Sequence, residues 1–263
     1  MTDSDRQQAL DRIREIVGPK GLVDAPAADA YLIDDRQLYK GEAALIVRPA
    51  STAEVAEVMA TCYQAGLGIV PQGGNTGYCG GATPDDAEGQ VLISLSRMNE
   101  VRAIDPVGFT MTAEAGVILA NAQEAAAEHD LLFPLSMASE GSAEIGGILA
   151  TNAGGLAVLR YGTGRELCLG LEVVLPDGRI IHGLTGLRKD NTGFDLKSLF
   201  CGAEGTLGII TAATLKLFPQ PKSRQTAWLA VADAEAACRL LGRARRESGD
   251  CVTSFEYVTR PSL

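Results

Sequence analysis

The stretch at residues 71–82, PQGGNTGYCGGA, decides how the rest of the chain is read, because five of its twelve residues (Gly73, Gly74, Gly77, Gly80 and Gly81) carry no side chain. Without a Cβ, such a run adopts backbone angles closed to other residues and lets main-chain N–H groups come close to a ligand. It follows a short apolar run, residues 67–70, that reads as the end of a buried strand. Consecutive amides in a glycine-dense loop leaving a strand converge on anions, phosphate above all. A solvent-facing turn has the same composition, since Gly and Asn dominate turns. Taken alone, the stretch leaves both readings open.

Two phosphate motifs fail here. No Lys or Arg lies between Arg48 and Arg97, which excludes the Gly-Lys-Ser/Thr of an ATP-binding P-loop. A dinucleotide fingerprint opens a helix directly, whereas Gly80, Gly81, Pro84, Asp85 and Asp86 keep this chain in loop. A second glycine-dense stretch, residues 138–155, ASEGSAEIGGILATNAGG, adds the small polar groups of Ser139, Ser142, Thr151 and Asn152. No Lys or Arg lies between Arg102 and Arg160 either. If the two loops meet across one ligand, amides and hydroxyls must neutralise its anionic part. Convergent amides and a helix N-terminus suffice for a diphosphate.

Together, PQGGNTGYCGGATP, GSAEIGGILATNAGGLAVLRYG and LRKDNTGFDLKSLFCGAEGTLGIIT resemble, in the same order, the FAD domain of the p-cresol methylhydroxylase (PCMH) and vanillyl-alcohol oxidase superfamily. The most similar branch is that of D-2-hydroxyglutarate dehydrogenase, with flavin-linked D-lactate dehydrogenases and the glycolate oxidase D subunit nearby. The similarity covers about residues 30–220. It implies an α+β fold: a two-subdomain FAD-binding domain of the PCMH type (about 41–105 and 106–220) under an N-terminal helical cover (1–40). Residues 221–263 would be the truncated start of a ferredoxin-like cap domain, stopping at Arg260-Pro-Ser-Leu263.

By matched position, the resemblance assigns Pro71, Gly73, Gly74, Asn75, Thr76 and Gly77 to the FAD diphosphate. Gly141, Ser142, Gly146 and Gly147 would close over it, Asn152, Ala153 and Gly155 would lie along the nucleotide, and Gly208, Ile209 and Ile210 near the adenosine. Asn75 stands where some members carry a flavin-linking histidine, and no His, Cys or Tyr occurs within residues 73–77, so noncovalent FAD is expected. The implied chemistry is oxidation of a D-2-hydroxy acid to the 2-oxo acid by hydride transfer to flavin N5. Its acceptor would be an electron-transfer flavoprotein or a quinone. The family's cap contributes metal-binding histidines. This chain has only His129 and His182, so no metal is expected; no residue stands out as the general base, Lys189 and Asn191 reading as loop-shaping, and no catalytic residue is assigned. A binding unit without catalysis and another flavin oxidase of the superfamily are the alternatives. An uncovered flavin face would favour self-association.

Composition sets outer limits. A chain of 263 residues, 46% hydrophobic and 21% charged, has the make-up of a soluble globular protein with ample core. A formal charge of −10 opposes nucleic-acid binding, which relies on clustered cations. No apolar run reaches membrane-spanning length, and the polar start has no signal-peptide core, so the cytoplasm is expected. There the six cysteines, none in a CxxC pair, should be reduced and mainly buried, Cys79 packed beside the cofactor.

Along the chain, residues 4–17 predict a helix capped by Ser4 or Asp5, and residues 44–47 a strand. Ser51 and Glu54 form a capping-box pattern opening a second helix, closed by Gly66 before the strand at 67–70. Strands are expected at 91–95, 101–104, 109–115 and 209–218, a hairpin at 169–181, and helices at 119–128, 144–151 and 195–200. A cation at a helix end accounts for His129. Beyond the punctuation of Pro219 and Pro221, a strand (227–231), helix (234–248) and strand (252–257) read as half of a split βαβ plait.

Overall fold

The computed structural model describes residues 2–85 and 89–259; Asp86 and residues 260–263 lie outside the described residues. Helix α1 (Asp3–Val17) is capped by Thr2, whose side chain accepts from the Asp5 amide while Asp5 returns the bond, so the box starts two residues earlier than Ser4. Helix α2 (Ala25–Leu32) follows, then β1 (Leu45–Val47), α3 (Thr52–Gln64) and β2 (Ile69–Gln72). At α3, the Ser51 hydroxyl accepts from the Glu54 amide, and the Glu54 carboxylate reaches back to Ala50 rather than to Ser51. Strand β3 (Val91–Ser94) then inserts between β1 and β2, giving a parallel sheet in the order β1-β3-β2. A parallel order of this kind needs crossover connections, which α3 and the glycine-bearing segment supply.

The remaining strands build a five-stranded antiparallel sheet. Strands β4 (Val101–Asp105) and β5 (Thr110–Glu114) precede α4 (Leu119–Ala127), the short β6 (Leu131–Leu132) and α5 (Ile145–Ala150). Two single-turn helices, α6 (Val158–Tyr161) and α7 (Gly164–Leu167), lead into β7 (Cys168–Val174) and β8 (Ile180–Gly183). Helix α8 (Leu196–Phe200), β9 (Ile209–Lys216), β10 (Phe218–Pro219) and α9 (Ala234–Glu247) complete the order. The large sheet runs β4-β5-β9-β7-β8, and β10 pairs with β6. Every residue of β7 is buried, as befits a central strand, whereas β5 alternates, with Met111 and Ala113 turned inward.

Two apolar cores result. One joins Ile13 of α1, Val55, Val58 and Met59 of α3 and Val91 and Ile93 of β3; the other joins α4, α5 and the large sheet through Leu119, Ile145, Leu149 and Val173. The β7–β8 hairpin seats its tip on α3: a side chain at Gly178 (φ +85°) would bring its Cβ to 2.7 Å from the Ala56 carbonyl.

The tail departs from the expected plait. No strand forms at 227–231 or 252–257; only α9 is regular, and it buries a single residue, Ala237. A strand needs a partner, and among the described residues no strand pairs with these segments, which leave Trp228 86% and Tyr257 47% exposed. The cysteines divide evenly: Cys62, Cys168 and Cys201 are buried, while Cys79, Cys238 and Cys251 are exposed. Among the described residues no helix is long and apolar enough to cross a membrane.

Candidate cofactor site

The two glycine loops touch. A side chain at Gly74 would bring its Cβ to 1.9 Å from the Ser142 carbonyl oxygen and 3.1 Å from the Ala143 Cα, so this approach is open to glycine alone. At Gly73 a Cβ would sit 3.5 Å from both Glu144 Oε2 and the Gly147 amide nitrogen, an ordinary contact distance. At Gly77, Gly141 and Gly147 it would meet nothing within 4 Å, which marks these positions as the open wall of the junction. Among the described residues, the amides at 73–77 and those of Gly141, Glu144 and Gly147 donate no main-chain hydrogen bond. Buried or crowded amides rarely stay unpaired without water or ligand to receive them. Five consecutive unpaired amides are the kind of arrangement that can receive an anion.

Side chains outside the loop fix its shape. Buried Gln72 donates from Nε2 to the Tyr31 carbonyl (2.9 Å) and the Ala82 carbonyl (2.8 Å), tying the loop's two ends and the end of α2 together. Asn75 takes a left-handed φ of 51° and donates from Nδ2 to the carbonyls of Ile33 (2.8 Å) and Ala30 (3.3 Å). Its side chain is thus engaged with α2, and its main chain is what remains for a ligand. The segment after α2 lies against the same loop. Asp34 accepts from the Tyr39 amide (2.6 Å), which with the Arg36 amide holds its carboxyl below the usual range. The Tyr39 ring borders Gly80, and the Arg36 guanidinium lies 3.7 Å over the Tyr78 ring.

A third loop, residues 201–206, closes the group. The Gly202 amide donates to Leu149 and the Glu204 amide to Ala150, capping the end of α5. Gly205 (φ +77°) abuts Pro71, where a Cβ would come within 2.4 Å of the proline ring. The block LRKDNTGFDLKSLFCGAEGTLGIIT therefore divides. Its second half joins the glycine loops, while its first half lines a separate cavity of about 510 Å³ with Cys168, His182, Arg188, Lys197 and Lys216. No residue of the glycine loops lines that cavity. Burial, with Arg188 and Lys197 nearby, lowers the Lys216 pKa.

Several expected site residues serve the protein's own packing. The Gly146 amide donates to Ala115 (2.7 Å), against which the glycine packs. Asn152 Oδ1 accepts from the Arg165 amide (2.9 Å), the Ala153 carbonyl accepts from Gly164, and Gly155 (φ +76°) lies against Ser136. Gly208 approaches Val174, and Ile209 and Ile210 are buried in different cores. The side chain that composition did not flag is Glu144. It is 6% exposed, its Oε2 has no hydrogen-bond partner among the described residues, and burial pushes its pKa up to about 8. Its position three residues after Gly141, at the entry of an apolar helix, was the only signal available.

Residues 43–183 match the family of FAD binding domains. The chain belongs to that family. It is 41% identical over 225 residues to D-2-hydroxyglutarate–pyruvate transhydrogenase of Saccharomyces cerevisiae, covering 86% of this chain and 45% of that protein. It is 38% identical to the mitochondrial D-2-hydroxyglutarate dehydrogenase of Bos taurus, over 95% of this chain and 45% of the relative. The chain thus spans about half the length of the curated relatives it matches. Among solved structures it resembles alkyldihydroxyacetonephosphate synthase (TM-score 0.75, 25% identity, 82% of this chain and 41% of that one). p-Cresol methylhydroxylase shares the fold (TM-score 0.69, 24% identity, 85% and 45%).

FAD is accordingly the cofactor of this domain, and the junction fits it. Where the two loops meet stand amides that donate no main-chain hydrogen bond, glycine positions open on one side and a carboxyl oxygen without a partner among the described residues.

Proposed function

We propose that this chain is the FAD-binding half of a dehydrogenase that oxidises a D-2-hydroxy acid, of the D-2-hydroxyglutarate, D-lactate or glycolate kind, to its 2-oxo acid. The observation that carries this is the meeting of two amide-rich loops in a chain whose relatives are named for D-2-hydroxyglutarate. When bound, FAD supplies the electron sink for the α-hydrogen of the hydroxy acid. Residues 73–77 with Gly141 and Gly147 hold the diphosphate through main-chain donors, and Ser142, whose amide is spent on the Ser139 carbonyl, closes over it. Pro71, Asn152, Ala153 and Gly155 shape the surrounding turns, and Gly146, Gly208, Ile209 and Ile210 form the wall behind the nucleotide. No His, Cys or Tyr lies within 73–77, so the cofactor is held noncovalently. The substrate hydroxyl must lose a proton to a base. Glu144, held neutral by burial at pH 7, does not accept it.

The same proposal divides the chain into a helical cover (1–40), a FAD domain (41–220, in two subdomains meeting near 105) and the beginning of a ferredoxin-like cap (221–263). It places the protein in the cytoplasm and passes electrons to an electron-transfer flavoprotein or a quinone. Homo-oligomers would form through the exposed flavin face. Cell fractionation tests the location, since the Bos taurus relative is named as mitochondrial.

A second reading, a FAD-binding unit inert by itself, is favoured by Phe194 and Trp228, 93% and 86% exposed as if they await a cover. Spectroscopy separates the two. A yellow protein bleached anaerobically by D-2-hydroxyglutarate or D-lactate supports the dehydrogenase; a yellow protein that neither bleaches supports the inert unit. A colourless protein that excludes added FAD contradicts both.

A further inference from the structure

Glu144 sits where the two glycine loops cross. It is 6% exposed, and its Oε2, without a hydrogen-bond partner among the described residues, lies 3.5 Å from where a Cβ on Gly73 would stand. A buried carboxyl oxygen with nothing to bond is destabilising. Beside the unspent amides at 73–77, it points to a ligand that completes it. We propose that Glu144 is a positioning residue whose neutral carboxylic acid donates its O–H to the flavin nucleotide between the loops, coupling FAD binding to protonation of this side chain. The proposal rests on the FAD reading above and adds a pH dependence that amides alone do not produce.

The surroundings support the neutral form. Beside the Glu144 carboxyl stands Gly73 of the first loop, and Ile118 is its isolated bridge partner; neither is ionisable. Further out on the packed loops stand Tyr78 beneath Arg36, exposed Cys79, Glu140 bonded to Ser136 and Gln123, and Glu204 beside Gly81. Burial alone raises the Glu144 pKa, to about 8, with no charged group opposing it. As a neutral acid the group has one donor to offer; ionised, it only accepts, and it would set a negative charge against phosphate oxygens.

The test is FAD titration by flavin fluorescence between about pH 6.5 and 9.5 on wild type, Glu144→Gln and Glu144→Ala, with circular dichroism showing each folded. If only the protonated form binds, the wild-type Kd is level near neutrality and about tenfold weaker by pH 9. Glu144→Gln keeps an amide donor that cannot ionise, so its Kd stays level and within about threefold of wild type at low pH. Glu144→Ala is level and weaker throughout. Calorimetry on wild type in two buffers of different ionisation enthalpy gives a readout that needs no variant: uptake approaching one proton per FAD near pH 9 is expected. A wild-type Kd that holds through pH 9.5, parallel weakening of wild type and Glu144→Gln, or binding without proton uptake overturns the role of Glu144 and leaves the FAD reading standing. Failure of wild type to bind FAD at pH 6.5 overturns both.

Discussion

Gly74 and Gly77 stand three positions apart in one loop and meet opposite surroundings: the first is pressed against the Ser142 carbonyl, the second faces open space. Gly74→Ala must push the loops apart, and the overpacking should lower stability by about 1–3 kcal/mol and abolish tight FAD binding. Gly77→Ala should leave the melting temperature nearly unchanged, so parallel melts of the two variants check the contact. Glu144 makes a second prediction, about the protein without ligand. Its carboxyl titrates near 4.5 when unfolded and near 8 when folded, so the fold holds the proton more tightly. Its contribution is fully present below pH 4.5 and is lost as the pH rises through 8, by roughly a few kcal/mol. Glu144→Gln removes that loss, so urea unfolding at pH 5 and pH 8.5 should show wild type weakening while the variant holds.

The glycine loop keeps its path because α2 and β2 are laced together by Gln72 and Asn75. Gln72→Leu leaves the Tyr31 and Ala82 carbonyls without their donor inside the fold, and should lower stability by about 1–3 kcal/mol. Hydrogen exchange in residues 73–82 should quicken alongside. None of this lacing was visible in the sequence, since it joins residues 41 positions apart. What was legible was local: the Ser51 cap of α3, the helix closed by Gly66, the alternation of β5 and the glycine-dense loops themselves. Local signals did not show that β3 lies between β1 and β2, because strand order depends on distant chain. Apolar residues at 227–231 and 252–257 were read as strands, but β-structure needs a neighbour that the described chain does not place there. Of the expected site, the touching loops were anticipated by three sequence blocks in family order. Glu144, Gly205 and the segment after α2 were not, because burial and close approach arise only on folding.

Across the whole molecule, Glu172 of β7 joins the two cores. Its Oε1 accepts from Thr52 at the start of α3 (2.7 Å), from Thr211 of β9 (2.9 Å) and from Arg102 of β4 (3.3 Å). Burial alone would raise its pKa, but these bonds outweigh it and hold the carboxyl below the ordinary 4.5. Its stabilisation is therefore present above pH 4.5 and lost as pH falls through the lower folded value. Glu172→Gln should cost about 1–3 kcal/mol at pH 7 and flatten the acid limb of the stability profile, as thermal melts between pH 7 and 3 would show. The two cores held in this register bring the glycine loops face to face, while the cavity lined by Arg188, Lys197 and Lys216 opens elsewhere. Which of the two places receives the flavin nucleotide is the point on which everything else turns. Hydrogen–deuterium exchange with and without saturating FAD reads it directly, segment by segment. Amides at 73–77 and 141–147 should slow on FAD binding with the segment at 187–195 unchanged; slowing at 187–195 with none at the glycine loops would contradict the account.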